Sequence, residues 1–210
     1  MSTAVIHFED IEKVTRIFRT QLENAGLNFD ENGVHRWKFV SYCTTDPKKT
    51  PSTRPPADVA KEAGDWIGEV GNIERLVLLT DLRPEAATPP KHKMYGLDVL
   101  AKLAEYLGED QDHPPFIFNV QDLASSRGIL VCFLTGFGLD LKSGLNTHSA
   151  WKETKVRTIS PYHTDRKRLT ISEALQEIDK EGARVVYADR AVCQDWAANL
   201  VAQWIIKLED

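Results

Sequence analysis

Residues 74–81, Glu-Arg-Leu-Val-Leu-Leu-Thr-Asp, set four consecutive apolar side chains, Leu76 to Leu79, just before Thr80 and Asp81. A strand without a polar face is buried on both sides, which is the pattern of a central parallel strand with helices above and below it. Pro84 stops the strand soon afterwards, because proline has no N–H to give to a sheet. Asp81 is therefore expected at the strand's carboxyl end, the edge where open α/β sheets bind ligands. Taken alone, Asp81 reads equally well as a turn cap.

The segments around this strand supply the rest of an α/β pattern. Ala4 to Phe8 is a short apolar strand that ends on the acidic pair Glu9-Asp10. Ile11, Val14, Ile17, Phe18, Leu22 and Ala25 then recur at helical spacing, and Gly26 follows as a C-cap would. Residues 36–43 alternate and carry aromatics, as a strand nearer a sheet edge does. Val59, Ala60, Ala63, Trp66, Ile67 and Val70 give a second helix, and Leu97, Leu100, Leu103, Ala104 and Leu107 a third, closed by Gly108. The order β-α-β-α-β-α, with right-handed crossovers, implies a doubly wound, mainly parallel sheet.

Beyond Gly108 two apolar runs, 115–120 and 128–135, compete for the fourth strand, and residues 155–160 offer a third candidate. Gly136 to Trp151 reads as a loop, and Gly136-Phe-Gly138 is too short for a phosphate-binding loop. Thr170 with Glu173 forms a capping box, Ala183 to Ala188 is a further strand, and a helix carrying Val192, Trp196, Leu200, Trp204, Ile205 and Leu208 follows. The Pro-rich stretches 44–56 and 85–93 read as exposed loops, able to form a lid over the strand ends.

A net charge of -5 and a pI near 5.7 argue against a nucleic-acid grip, which needs surplus Lys and Arg on one face. Arg166-Lys167-Arg168 accordingly reads as a solvated run. Cys43, Cys132 and Cys193 are odd in number and far apart, so no disulfide framework or zinc site is expected and a reducing, cytoplasmic setting fits. No signal peptide or membrane span is expected. The six histidines show no metal-binding spacing, and His163-Thr-Asp165 beside Ser160 lacks a nucleophile elbow.

If the first and third strands are neighbours, as in flavodoxin-like order, Glu9, Asp10 and Asp81 meet at one edge. Three carboxylates there repel one another and call for a hard cation, for which oxygen-only ligands suit Mg²⁺. With these residues in place, the sequence resembles the receiver domain of two-component response regulators. The resemblance rests on Glu9-Asp10 after an apolar strand, Asp81 after Leu-Val-Leu-Leu-Thr, Pro84 beyond it, Gly96-Leu-Asp-Val-Leu100 opening a helix, and Glu173-Ala-Leu175 running to Gly182-Ala183. It covers roughly residues 4–108 and 154–205.

The resemblance implies that Glu9 and Asp10 hold Mg²⁺, that Asp81 accepts a phosphoryl group, and that the backbone of Arg83 completes the metal shell. It also implies a protein partner, either a kinase or a downstream effector. The departures are specific. Pro84 follows Asp81 by three residues instead of four, and residues 85–93 have no counterpart. Residues 109–153 become an insertion in a single receiver-like domain spanning 1–210. In the favoured register Ser160 replaces the switch hydroxyl on the fourth strand and Asp189-Arg190 replaces the Lys-Pro after the fifth. In the competing register the fourth strand is 115–120 and Ser160-Pro161 takes the Lys-Pro position. Neither supplies the lysine, for which Arg190 is a partial substitute. The expected protein is thus a receiver-like signalling or interaction domain, phosphorylated on Asp81 or unswitched. The alternative is a small Mg²⁺-dependent hydrolase or phosphotransferase acting on a nucleotide or phosphorylated metabolite.

Overall fold

Every residue of β1 (Thr3–Glu9), β3 (Arg75–Thr80) and β4 (Ile129–Leu134) is buried, so these strands need cover on both faces. In the computed structural model, which describes residues 2–31, 33–44, 52–84, 94–109, 117, 119–162 and 168–207, helices supply that cover. The other elements are α1 (Glu12–Asn24), β2 (His35–Ser41), α2 (Pro56–Val70), α3 (Tyr95–Glu109), α4 (Val120–Ser125) and α5 (Gly138–Thr147). They are followed by β5 (Arg157–Ile159), α6 (Ile171–Asp179), β6 (Arg184–Ala188) and α7 (Gln194–Ile206).

The six strands form one sheet in the order β2-β1-β3-β4-β6-β5, and every pairing is parallel. This is the flavodoxin-like, doubly wound α/β class. Because strand side chains alternate, Ile6, Phe8, Leu76, Leu78, Val131 and Phe133 enter a core with residues of α2, α3, α4 and α5. Val5, Val77, Leu79, Leu130, Cys132 and Val186 enter the opposite core with α1, α6 and α7. The start of α6 carries the capping box expected at Thr170 and Glu173, and Gly26 follows α1 with φ of 103°, the left-handed conformation that glycine adopts without penalty.

Two expectations are corrected. Residues 109–153 are not peripheral to the sheet: they contain α4, β4 and α5, and β4 lies between β3 and β6. Of the three candidate strands, Ile129–Leu134 takes the interior place because all six of its residues are apolar. Arg157–Ile159, only three residues long and with two of them polar, goes to the edge as β5. Of the run 115–120, Asn119 caps α4 and Val120 opens it, while residues 115, 116 and 118 lie outside the described residues. Gly136 to Trp151 is not a loop throughout, since α5 buries Leu141 and Leu145. Residues 45–51 and 85–93, the larger part of the expected lid loops, and His163 to Lys167 also lie outside the described residues. No helix among the described residues is long and apolar enough to cross a membrane, and the three cysteines are free thiols.

Candidate metal centre at the β1 and β3 strand ends

The connections that follow β1 and β3 leave on opposite faces, α1 towards one core and α3 towards the other. Such a reversal opens a crevice between the two strand ends. Glu9 closes β1 with its side chain fully buried, and its Oε1 accepts hydrogen bonds from the backbone N–H groups of Asp10 (3.0 Å) and Ile11 (3.3 Å). Asp81 stands one residue past β3, 1% exposed, with Oδ1 accepting from the backbone N–H of Leu82 at 2.6 Å. Glu9, Asp10 and Asp81 each present a carboxylate oxygen within 4.8 Å of the others, as expected from the sequence.

The main chain of Asp81 is held tightly. Its carbonyl accepts from the Tyr42 hydroxyl at 2.9 Å, and that hydroxyl also lies against Thr80 Oγ1. The ring of Tyr42 packs edge-on against Tyr95, 4.8 Å between centroids, and the first turn of α3 covers the same carbonyl from the side of Gly96.

Two further side chains complete the centre. Arg190, just beyond β6, directs Nη1 to Glu9 Oε2 (3.2 Å) and Asp81 Oδ2 (3.4 Å). The Thr135 hydroxyl, one residue past β4, accepts from the Phe137 N–H at 3.3 Å and favours the ionised form of the Asp81 carboxylate. Burial pushes Glu9 up to about 9, reinforced by its hydrogen bond with the Asp10 side chain and by the nearby carboxylates, with Arg190 opposing. Burial likewise lifts Asp81 to about 6, while Thr135, Arg190 and the Leu82 N–H pull it down. Two buried acids thus share one guanidinium, and charging both leaves excess negative charge. Oxygen-only donors from three carboxylates suit a hard divalent cation such as Mg²⁺.

Arg190 joins the centre as expected, but Ser160 does not. Ser160 follows β5 at the edge of the sheet, three strands from β3, roughly 14 Å at ~4.8 Å per strand. Thr135 stands instead at the neighbouring strand end; its signal was the apolar run 128–135 that it terminates. The Arg83 side chain turns away from the carboxylates, pairing with Asp140 at 3.1 Å and lying 3.2 Å from the Phe137 ring centroid. His7, two residues before Glu9, is fully buried between Phe18 and Trp37, with no hydrogen-bond partner for either ring nitrogen among the described residues. Burial, helped by Arg190, lowers its pKa to about 3, so it is a neutral core residue.

No family model matches the chain, and no curated protein matches it. Among solved structures, one similar chain is titled "Last common ancestor of HMPPK and PLK/HMPPK vitamin kinases". It is 10% identical, with a TM-score of 0.40 and coverage of 99% of each chain.

Proposed function

We propose that the chain is a Mg²⁺-dependent phosphoryl-transfer protein acting on a small phosphorylated ligand, with Asp81 as the reacting carboxylate. The observation that carries this reading is the meeting of three carboxylates from two adjacent strand ends within 4.8 Å. Glu9, Asp10 and Asp81 would hold the cation, which when bound offsets the charge that gathers around phosphorus. An Asp81 oxygen attacks phosphorus and the bond from phosphorus to the leaving oxygen breaks. Water protonates that oxygen and later releases phosphate, or an acceptor hydroxyl takes the phosphoryl group. Arg190 and Thr135 favour the ionised form of Asp81 and present a cation and a hydroxyl to the phosphoryl oxygens.

A second reading keeps the phosphoryl group on Asp81 as a signal for a protein partner. Thr135 and Arg190 favour it, because they stand beside Asp81 at the ends of β4 and β6, where a receiver-type sheet carries its switch hydroxyl and basic residue. Incubation with acetyl phosphate and Mg²⁺ separates the two. Continuous phosphate release, lost in Asp81→Asn and in EDTA, is the expected result. A stable adduct of one phosphoryl group per chain, absent in Asp81→Asn, supports the receiver reading instead. Absence of both, with no Mg²⁺ binding by calorimetry, overturns both readings.

A further inference from the structure

A second reversal of the chain lies next to the first. After β4 the chain enters α5, whose Leu141 and Leu145 join the core of α2 and α3. After β6 it enters α7, which packs in the opposite core. The crevice between these strand ends opens into a cleft of about 890 Å³ running from Gly136 beneath α5, over Tyr187, to β5. That volume is in the range of sites for small organic molecules. The walls are mostly apolar, built by Phe137, Leu141, Leu145, Val156 and Tyr187, with Thr158 and Ser160 adding hydroxyls.

The wall of the cleft begins one residue beyond Thr135, at the end of the strand beside Asp81. Thr135 also favours the ionised form of Asp81, and its hydroxyl accepts from the N–H of Phe137 in the cleft wall. Arg83, two residues after Asp81, pairs with Asp140 and covers Phe137, both of which line the cleft. Arg83 thus ties the loop after Asp81 to the start of α5 and the cleft wall.

Resting on the phosphoryl-transfer reading above, we infer that the cleft holds the body of the ligand, and that this body is a flat, largely apolar ring system of up to nucleoside size. A polyol placed against Leu141, Leu145 and Val156 would leave hydroxyls without partners. An aromatic ring loses nothing there and gains contact with the Tyr187 ring and with the part of Phe137 that Arg83 leaves uncovered.

The test compares 1-naphthyl phosphate with phenyl phosphate, whose leaving oxygen is of similar basicity but which lacks the second ring, on the full chain with Mg²⁺. The expected kcat/KM is about tenfold or more higher for the naphthyl ester. Thr158→Trp, at an exposed strand position on the cleft floor, fills the space and lowers kcat/KM for that ester by about tenfold. Free 1-naphthol, which needs no variant, competes with the naphthyl ester and leaves acetyl phosphate turnover unchanged. Equal kcat/KM for the two esters, or no competition by 1-naphthol, overturns the cleft assignment while phosphoryl transfer stands. Failure of Mg²⁺-dependent turnover with both esters overturns the inference together with the reading beneath it.

Discussion

Gly96→Ala tests how the reacting carboxylate is positioned. A Cβ built on Gly96 overlaps the carbonyl oxygen of Asp81 and comes within 2.9 Å of Thr80 Oγ1. Both are fixed: the carbonyl is held by Tyr42, and Thr80 is fully buried. The φ of Gly96 is not positive, so backbone strain contributes nothing and the whole effect is steric. Overpacking against immobile backbone costs about 3 kcal/mol at the upper end, and the better helix propensity of alanine returns at most about 1 kcal/mol. The net loss of ~2 kcal/mol corresponds to a fall in Tm of about 4–8 °C for a chain of this size. Gly68→Ala is the internal control, since Gly68 is exposed within α2 and a Cβ there meets nothing within 4 Å. It should stabilise by ~0.5–1 kcal/mol. Differential scanning calorimetry reads both variants, and Mg²⁺ titration should show weaker binding in Gly96→Ala only. A Gly96→Ala variant melting at or above the parent would refute the close approach of α3 to the Asp81 loop.

Removing Arg190 leaves two buried acids without their shared cation, so Arg190→Met should destabilise the metal-free protein at pH 8 by about 2 kcal/mol; an unchanged urea midpoint would count against the pairing. Glu9 has its folded pKa raised from 4.5 to about 9, so its contribution to stability is fully present below about pH 4.5 and is lost as pH rises towards 9. Urea melts in EDTA at pH 5, 7 and 9 should show this decline, and Glu9→Gln should flatten it; a Glu9→Gln slope equal to the parent's would contradict the assignment. Thr135→Val removes, in a side chain of similar shape, the hydroxyl that accepts from the Phe137 N–H and favours the ionised form of Asp81. It should cost ~1 kcal/mol of stability and lower kcat more than it raises KM, whereas a change in KM alone would place Thr135 outside the reacting group.

Much of the first half of the fold was legible locally. The runs 4–8 and 76–79 have no polar face, the helical stripes of α1, α2 and α3 repeat at 3.6 residues, and Gly26 and the Thr170–Glu173 pair mark helix ends. Given a flavodoxin-like order, in which the first and third strands are neighbours, Glu9, Asp10 and Asp81 could be placed at one edge from the sequence. The second half was not legible in this way. Residues 115–120, 128–135 and 155–160 are all short and rich in apolar or β-branched side chains, and a local window does not rank them. Rank came from burial on both faces: β4 is covered by helices on each side and pairs with β3 and β6, while β5 has one neighbour.

That single choice replaced Ser160 by Thr135 beside Asp81. Arg190 and Gly96 show the same division between sequence and structure. The sequence marked one as a substitute base and the other as the start of a helix, but only the folded chain sets the guanidinium across residues 181 and 109 positions earlier. Likewise only packing explains why no side chain fits where α3 meets Asp81. Strand and helix character follow from side-chain periodicity and capping within a few residues. Neighbours in the sheet, and hence the makeup of the site, follow from which segments can be covered on both faces at once, a condition that involves the whole chain.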